Sequence, residues 1–255
     1  MAGKLIKYDF LAIGRKLGPI YLAVAAMSVL VGLLSRVSSD VPEGISMAAY
    51  VILMLIMIIM TLVVIIQRFY QSVYGKDAYM MMTLPATTGE QLWSKVITSL
   101  IWGIFTTAVT AASFAVILLL IGALNDVDLM PHLGVQIPWG QFALTGTLFL
   151  LNIVVSIVQF ALMIYASISI GAQARNHRGL LSTLVFIGFA IAESIITTMD
   201  TSDGNAWIER ENQTITGVLG NIDHVLVLAL VFAAAVSAVY FIITYFLMDR
   251  RLNLD

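Results

Sequence analysis

Six long apolar runs alternate with short polar segments along the chain. They cover residues 17–34, 45–66, 96–124, 142–170, 180–199 and 225–248. A helix needs about 20 apolar residues to cross a hydrocarbon core of about 30 Å. The runs are continuous, whereas a strand of a membrane barrel alternates polar and apolar positions over about 10 residues. The pattern therefore predicts an all-α membrane protein with six transmembrane helices. No long polar linker or internal repeat interrupts it, so we expect one transmembrane domain over 1–255.

The composition supports lipid as the surrounding solvent. Hydrophobic residues make up 60% of the chain and charged residues only 11%, against about 25% charged in an ordinary soluble domain. A net charge of -2 gives no reason to expect a nucleic-acid partner. The chain has no cysteine, which excludes disulfides and thiolate chemistry and fits a bacterial inner (plasma) membrane.

The basic residues predict the orientation of the six helices. If Met1 is cytoplasmic, only Arg36 and Arg210 fall in outer segments, and the other 11 of the 13 Lys and Arg residues are inside. Cytoplasmic segments of membrane proteins carry this excess of Lys and Arg. We therefore expect both termini in the cytoplasm, an inner loop at 67–95 and a large outer loop at 200–221. The inner basic residues are Lys4, Lys7, Arg15, Lys16, Arg68, Lys76, Lys95, Arg175, Arg178, Arg250 and Arg251.

An amphipathic pattern precedes the first apolar run. Ile6, Phe10, Ile13 and Leu17 repeat at spacings of four, three and four, which places them on one helical face. Lysine and arginine surround that face, so residues 4–16 are predicted to form a helix along the inner membrane surface. The alternative is a positively charged end that only orients the first span. We expect that span to be retained and not cleaved as a signal peptide.

The inner loop 67–95 is rich in aromatic residues and contains three consecutive methionines. Pro85 ends any helix that arrives from Asp77, and Thr87 and Glu90 have the spacing of a capping box that begins a new helix. Aromatic and methionine side chains outside the bilayer suit a docking surface for another protein. They equally suit a headgroup-level aromatic belt with local packing.

Three polar side chains lie within the predicted spans. Placing the Glu193 carboxylate at membrane depth costs free energy, so this side chain should face protein or water. It is either a group of a translocation pathway or a carboxyl that bonds a neighbouring helix. Asn152 and Gln159 are seven residues apart and share a face, where they line a pathway or bond helix to helix.

No catalytic motif occurs in the sequence. The GxxxxGK[ST], HExxH and GxSxG patterns are absent, and the three histidines are scattered. We predict no catalytic residue, no metal site and no cofactor bound by this chain.

The stretch YGKDAYMMMTLPAT at 74–87, followed by QLWSK at 91–95, resembles the inner loop of permease subunits of bacterial type-2 ATP-binding-cassette (ABC) exporters. The layout of a surface helix, six spans and a sizeable outer segment before the last span is similar to that family as well. The resemblance implies a non-enzymatic permease that forms the translocation pathway. It also implies two copies of an ABC ATPase subunit, which bind ATP and Mg, and a second permease, identical or related.

Residue roles follow from the same resemblance. The loop would contact the ATPase through Tyr74, Lys76, Asp77, Tyr79, Met80, Leu84 and Pro85. The outer segment 205–220 would correspond to re-entrant helices of the family. Two other classes of function remain open: an ion- or proton-coupled secondary carrier that uses Glu193, and a membrane scaffold or sensor without transport. The sequence does not indicate a substrate.

Overall fold

The computed structural model describes residues 2–35, 40–74, 87–125, 138–174, 177–211 and 215–252. Six α-helices account for nearly all of these residues, and none of them is in a strand. The prediction of an all-α protein is confirmed. The helices are α1 (Ala2–Leu34), α2 (Asp40–Val73), α3 (Thr88–Asn125), α4 (Trp139–Gly171), α5 (Arg178–Glu211) and α6 (Ile215–Leu252).

Every one of these helices contains a stretch long and apolar enough to cross a membrane. Helices suit such sequences because the backbone donors and acceptors are satisfied within the segment, where lipid offers no partner. The prediction of six helices long and apolar enough to cross a membrane is therefore confirmed for the described residues. The stretches are Phe10–Leu34, Gly44–Val73, Thr88–Gly122, Trp139–Gly171, Arg178–Thr198 and Leu219–Asp249.

Two helices extend well beyond their apolar stretches. Helix α5 continues to Glu211 and α6 begins at Ile215, so most of the predicted outer loop 200–221 is helical. A helix of 34 residues is about 51 Å long, against a hydrocarbon core of about 30 Å. Hydropathy marks where an apolar run ends, whereas the backbone hydrogen bonds of a helix can continue through polar sequence. Re-entry of 205–220 into the bilayer stays a prediction.

The chain forms two compact units, the first comprising residues 1–69 and 97–135. Its core lies between α1, α2 and α3, and the α1 side chains recur at three- and four-residue spacings, as an apolar stripe requires. The α1–α3 contact is close at Gly32, where an added Cβ would lie 2.6 Å from Leu120 Cβ. The buried core residues are Ile13, Leu17, Tyr21, Val24, Val31, Tyr50, Met57, Val64, Trp102 and Ile117.

Buried hydroxyl groups join the helices of this first unit. Thr106 donates to the Trp102 carbonyl oxygen, so its Oγ1 accepts from Tyr21 OH at 2.8 Å. In the same way Ser113 donates to a carbonyl of its own helix and accepts from Tyr50 OH at 2.7 Å. Satisfied polar pairs of this kind link helices in an apolar medium.

The second unit comprises residues 70–96 and 136–255. Helix α4 packs against both α5 and α6, and side chains 161–169 near its end are buried on all sides. The turn into α5 is tight, because a Cβ on Gly171 would lie 2.6 Å from the Ser182 backbone nitrogen. His177 makes this turn with a φ of 58°, in the left-handed region.

Candidate functional site

The inner loop is the first candidate site, and the structure describes its two flanks. Of the predicted coupling residues only Tyr74 is described. It follows the end of α2, donates its backbone N–H to the Tyr70 carbonyl oxygen at 2.8 Å, and has its ring centroid 6.3 Å from that of Tyr70. The remaining six, which lie outside the described residues, are Lys76, Asp77, Tyr79, Met80, Leu84 and Pro85.

The capping box that follows the loop is confirmed. Helix α3 begins at Thr88. The Glu90 backbone N–H donates to Thr87 Oγ1 at 3.3 Å, and the Thr87 N–H donates to Glu90 Oε2 at 3.2 Å. These reciprocal bonds satisfy donors that a helix start leaves without partners. Helix α3, which follows the loop, therefore starts at a defined residue.

The first turns of α3 lie against the last turns of α6. Thr88 Oγ1 donates to Asp249 Oδ1 over 3.4 Å. A Cβ placed on Gly89 would lie 3.6 Å from the ring of Tyr245, in ordinary van der Waals contact. The ring of Tyr245 thus lies beside the backbone of α3 at residue 89.

A third pair extends the same contact by one further turn. The ring centroids of Trp93 and Phe241 are 5.1 Å apart at an interplanar angle of 42°, within the range of favourable aromatic pairs. We call this contact the α3–α6 seam. It consists of Thr88, Gly89 and Trp93 on α3 and Phe241, Tyr245 and Asp249 on α6.

Helix α4 holds the start of α3 from another direction. Tyr165 OH donates to the Lys95 carbonyl oxygen at 3.3 Å. Leu92, Ser94, Lys95 and Val96 are each at most 4% exposed. A lysine is seldom buried to this extent. The residues that follow the loop are therefore enclosed by protein on the side that does not carry Trp93, which is 55% exposed.

Glu193, the second candidate site, is bonded to the neighbouring span. Its Oε1 accepts a hydrogen bond of 2.7 Å from Tyr240 OH on α6. The ring of Phe189, one turn earlier on α5, lies 5.0 Å from that of Tyr240. Thr197 Oγ1 donates to the Glu193 backbone carbonyl and so adds no bond to the carboxylate. The structure thus gives this carboxylate a helix–helix bond, while its role in a pathway stays a prediction.

Asn152 makes a helix–helix bond as well. Its Nδ2 donates to the Leu226 carbonyl oxygen on α6 and to Leu148 of its own helix, both at 3.0 Å. Two turns away Thr145 Oγ1 donates to Asp223 Oδ1 at 2.6 Å. Gln159, the other predicted pathway residue on α4, is half-buried. Polar contacts thus tie α4 to α6 at two levels.

Two residues of the apolar face predicted for 4–16 pack against other side chains of the first unit. Phe10 stacks on Trp102 at 4.8 Å, and Ile13 is 3% exposed within the core of the first unit. The side chain of Ile6 lies outside the described residues. Helix α1 is continuous from Ala2 to Leu34, so no break separates a surface helix from the first span. Whether 4–16 lies along the membrane surface stays a prediction.

Sequence reasoning missed the partners of the candidate residues. Tyr240, Asp249 and Trp102 each lie in or beside a run that hydropathy treats as uniformly apolar. A tyrosine within a span was a usable signal, because its hydroxyl needs an acceptor there. In the described ranges no group of three His, Asp or Glu side chains lies where it could hold a metal ion.

The comparisons with known proteins give no relative. No protein-family model matches the chain, and neither a curated protein nor a solved structure matches it.

Proposed function

We propose that this chain is the transmembrane permease subunit of an ABC exporter, located in the inner membrane of a bacterium. The observation that carries the proposal is the loop sequence at 74–87 with the lysine-containing segment that follows it. Six helices long and apolar enough to cross a membrane, and a capped helix start directly after the loop, support the proposal. The excess of basic residues on the Met1 side supports a cytoplasmic loop and cytoplasmic termini.

The proposed mechanism is a two-state change driven by a partner. Two permeases, identical or related, pair in the membrane, and two ATPase subunits dock on their inner loops. ATP and Mg are bound by the ATPases. ATP binding closes the ATPases and displaces the loops, and the spans respond. Since a ligand shifts only an equilibrium between states that it binds unequally, the ATP-bound ATPase must favour one arrangement of the spans.

The pathway would involve the second unit. Glu193, Asn152 and Gln159 are the polar residues proposed to line it, on α5 and α4. Residues 4–16 are proposed to lie at the inner membrane surface, where their cations would meet anionic headgroups. None of the residues on which the proposal rests indicates a substrate class.

The test is association with an ATPase. The chain is co-expressed with the P-loop ATPase encoded beside its gene and purified in mild detergent. We expect the two proteins to co-purify, and Tyr79→Ala or Leu84→Ala to weaken the association by about tenfold or more, which corresponds to about 1.4 kcal/mol. Trp139→Ala is the matched control, because this exposed aromatic residue is the first residue of α4, on the side predicted to be outer.

Two outcomes would count against the exporter. One is purification of the chain alone although the ATPase is present and folded. The other is an equal loss of association in the Trp139 control and the loop variants. In either case a carrier that uses Glu193, or a membrane scaffold, becomes the better account.

A further inference from the structure

We infer that the α3–α6 seam makes the start of α3 and the end of α6 move as one body, so that displacement of the inner loop is passed to α6. The inference rests on the proposed function, since it needs an ATPase that moves the loop. It goes beyond that proposal because it names the span that receives the motion and the residues that position it.

The seam is an antiparallel pairing of two helices. Along α3 its residues run 88, 89, 93, and their partners along α6 run 249, 245, 241. The α6 members recur every four residues and so form one stripe on that helix. Their span of eight residues corresponds to about 12 Å of helix axis. Contacts distributed over about two turns restrain relative rotation as well as separation, which a single contact does not.

No residue separates the end of the loop at Thr87 from the first residue of the seam, Thr88. The capping box fixes the backbone at Thr87, and the first seam residue is the next one in the chain. A displacement of the loop's end is therefore a displacement of a helix end. Helices transmit such a displacement along their axis because their backbone hydrogen bonds hold the turns together.

The opposite side of α3 favours transfer within the second unit. Leu92 is fully buried, and Tyr165 of α4 bonds the Lys95 carbonyl. Residues 70–96 form one compact unit with α4, α5 and α6. The loop's flanks are therefore packed with the helices that carry Glu193 and Asn152, the proposed pathway residues.

The experiment uses the permease–ATPase complex and a single reporter cysteine. The natural chain has no cysteine, so Ile222→Cys, at an exposed position near the start of α6, is the only thiol in this subunit. Its rate of reaction with a maleimide is measured in the nucleotide-free complex and in the complex trapped with ATP and vanadate. We expect the rate to differ between the two states.

Seam variants then test the transfer. Trp93→Ala combined with Thr88→Val removes the ring contact and the hydroxyl donor, and we expect the nucleotide-dependent difference to be lost while the ATPase stays bound. Trp93→Phe combined with Thr88→Ser keeps a ring and a donor, and we expect it to retain the difference. Thermal unfolding of both variants shows whether a lost labelling difference comes from misfolding. If the variant with Trp93→Ala and Thr88→Val is misfolded, Trp93→Phe combined with Thr88→Val replaces it.

A cross-link provides an independent measurement. Gly89→Cys and Tyr245→Cys, joined by a short bismaleimide, lock the seam without removing its other contacts. We expect ATP turnover of the complex to be unchanged by the lock. The inference is overturned if the lock stops turnover, if the seam variant keeps the full labelling difference, or if the complex that carries Ile222→Cys alone shows none. Failure of the proposed function is seen separately, as failure of the unmodified chain to bind the ATPase.

Discussion

The Glu193 carboxylate and the Tyr240 phenol form a bond between two consecutive spans. A charged carboxylate at membrane depth costs about 2.5–3.5 kcal/mol on insertion scales. The hydrogen bond of 2.7 Å from Tyr240 offsets part of that cost, and the ring of Phe189 restricts the orientation of the phenol. Glu193 is nevertheless only half-buried. One side chain therefore joins α5 to α6 and still presents surface away from that bond.

A double-mutant cycle measures the bond. Tyr240→Phe removes the donor and keeps the ring against Phe189, while Glu193→Leu removes the acceptor. We expect the two substitutions to be non-additive by roughly 0.5–1.5 kcal/mol in thermal unfolding, the range for hydrogen bonds between membrane helices. Glu193→Gln is the control, because its amide oxygen still accepts from Tyr240. Strict additivity of Tyr240→Phe and Glu193→Leu would show that the bond does not stabilise the fold. A coupling of Tyr240→Phe with Glu193→Gln as large as its coupling with Glu193→Leu would show the same.

At the scale of the element, α1 offers two glycines in contrasting surroundings. An added Cβ at Gly32 would lie 2.6 Å from Leu120 Cβ, whereas at Gly18 nothing lies within 4 Å. We expect Gly32→Ala to destabilise the first unit by about 1–3 kcal/mol through overpacking. Gly18→Ala should be neutral or stabilising by up to about 1 kcal/mol, since alanine is the better helix former.

Thermal unfolding in detergent compares these two variants directly. Leu120→Ala removes the Cδ1 atom that would also lie 2.6 Å from the added Cβ but keeps the Leu120 Cβ. It relieves part of the overlap, so combining it with Gly32→Ala should cost less than the sum of the two single losses. Equal melting temperatures for the Gly18 and Gly32 variants would argue against close α1–α3 packing.

Some elements were predictable from the sequence and others were not, for identifiable reasons. The start of α3 was predictable because Thr87 and Glu90 form a local motif that needs no tertiary contact. The end of α5 was not, because an apolar run stops near Thr198 while the helix continues to Glu211. Tyr240 could not be predicted as the partner of Glu193, because periodicity indicates the face of a helix on which a residue lies and not the neighbour that covers that face.

At the scale of the whole molecule, the number of spans and the distribution of charge together predict the topology. Six crossings would put both termini on the same side, and the 11 basic residues predicted to share the side of Met1 favour a cytoplasmic location for that side. Under this predicted topology the inner loop would lie in the cytoplasm, where the proposed ATPase subunit could reach it. The proposed function therefore depends on the topology as much as on the loop's sequence.

Cysteine labelling tests this topology in a chain that has no thiol of its own. In spheroplasts, we expect a membrane-impermeant maleimide to label Ser38→Cys and Ser202→Cys, in the predicted outer segments. Gln173→Cys and Asn253→Cys should react only after the membrane is permeabilised, because both positions are predicted to lie on the side with the excess of Lys and Arg. The reverse pattern would place residues 75–86 outside the cell, where no cytoplasmic ATPase reaches them. That single result would remove both the exporter proposal and the transfer of motion through the α3–α6 seam.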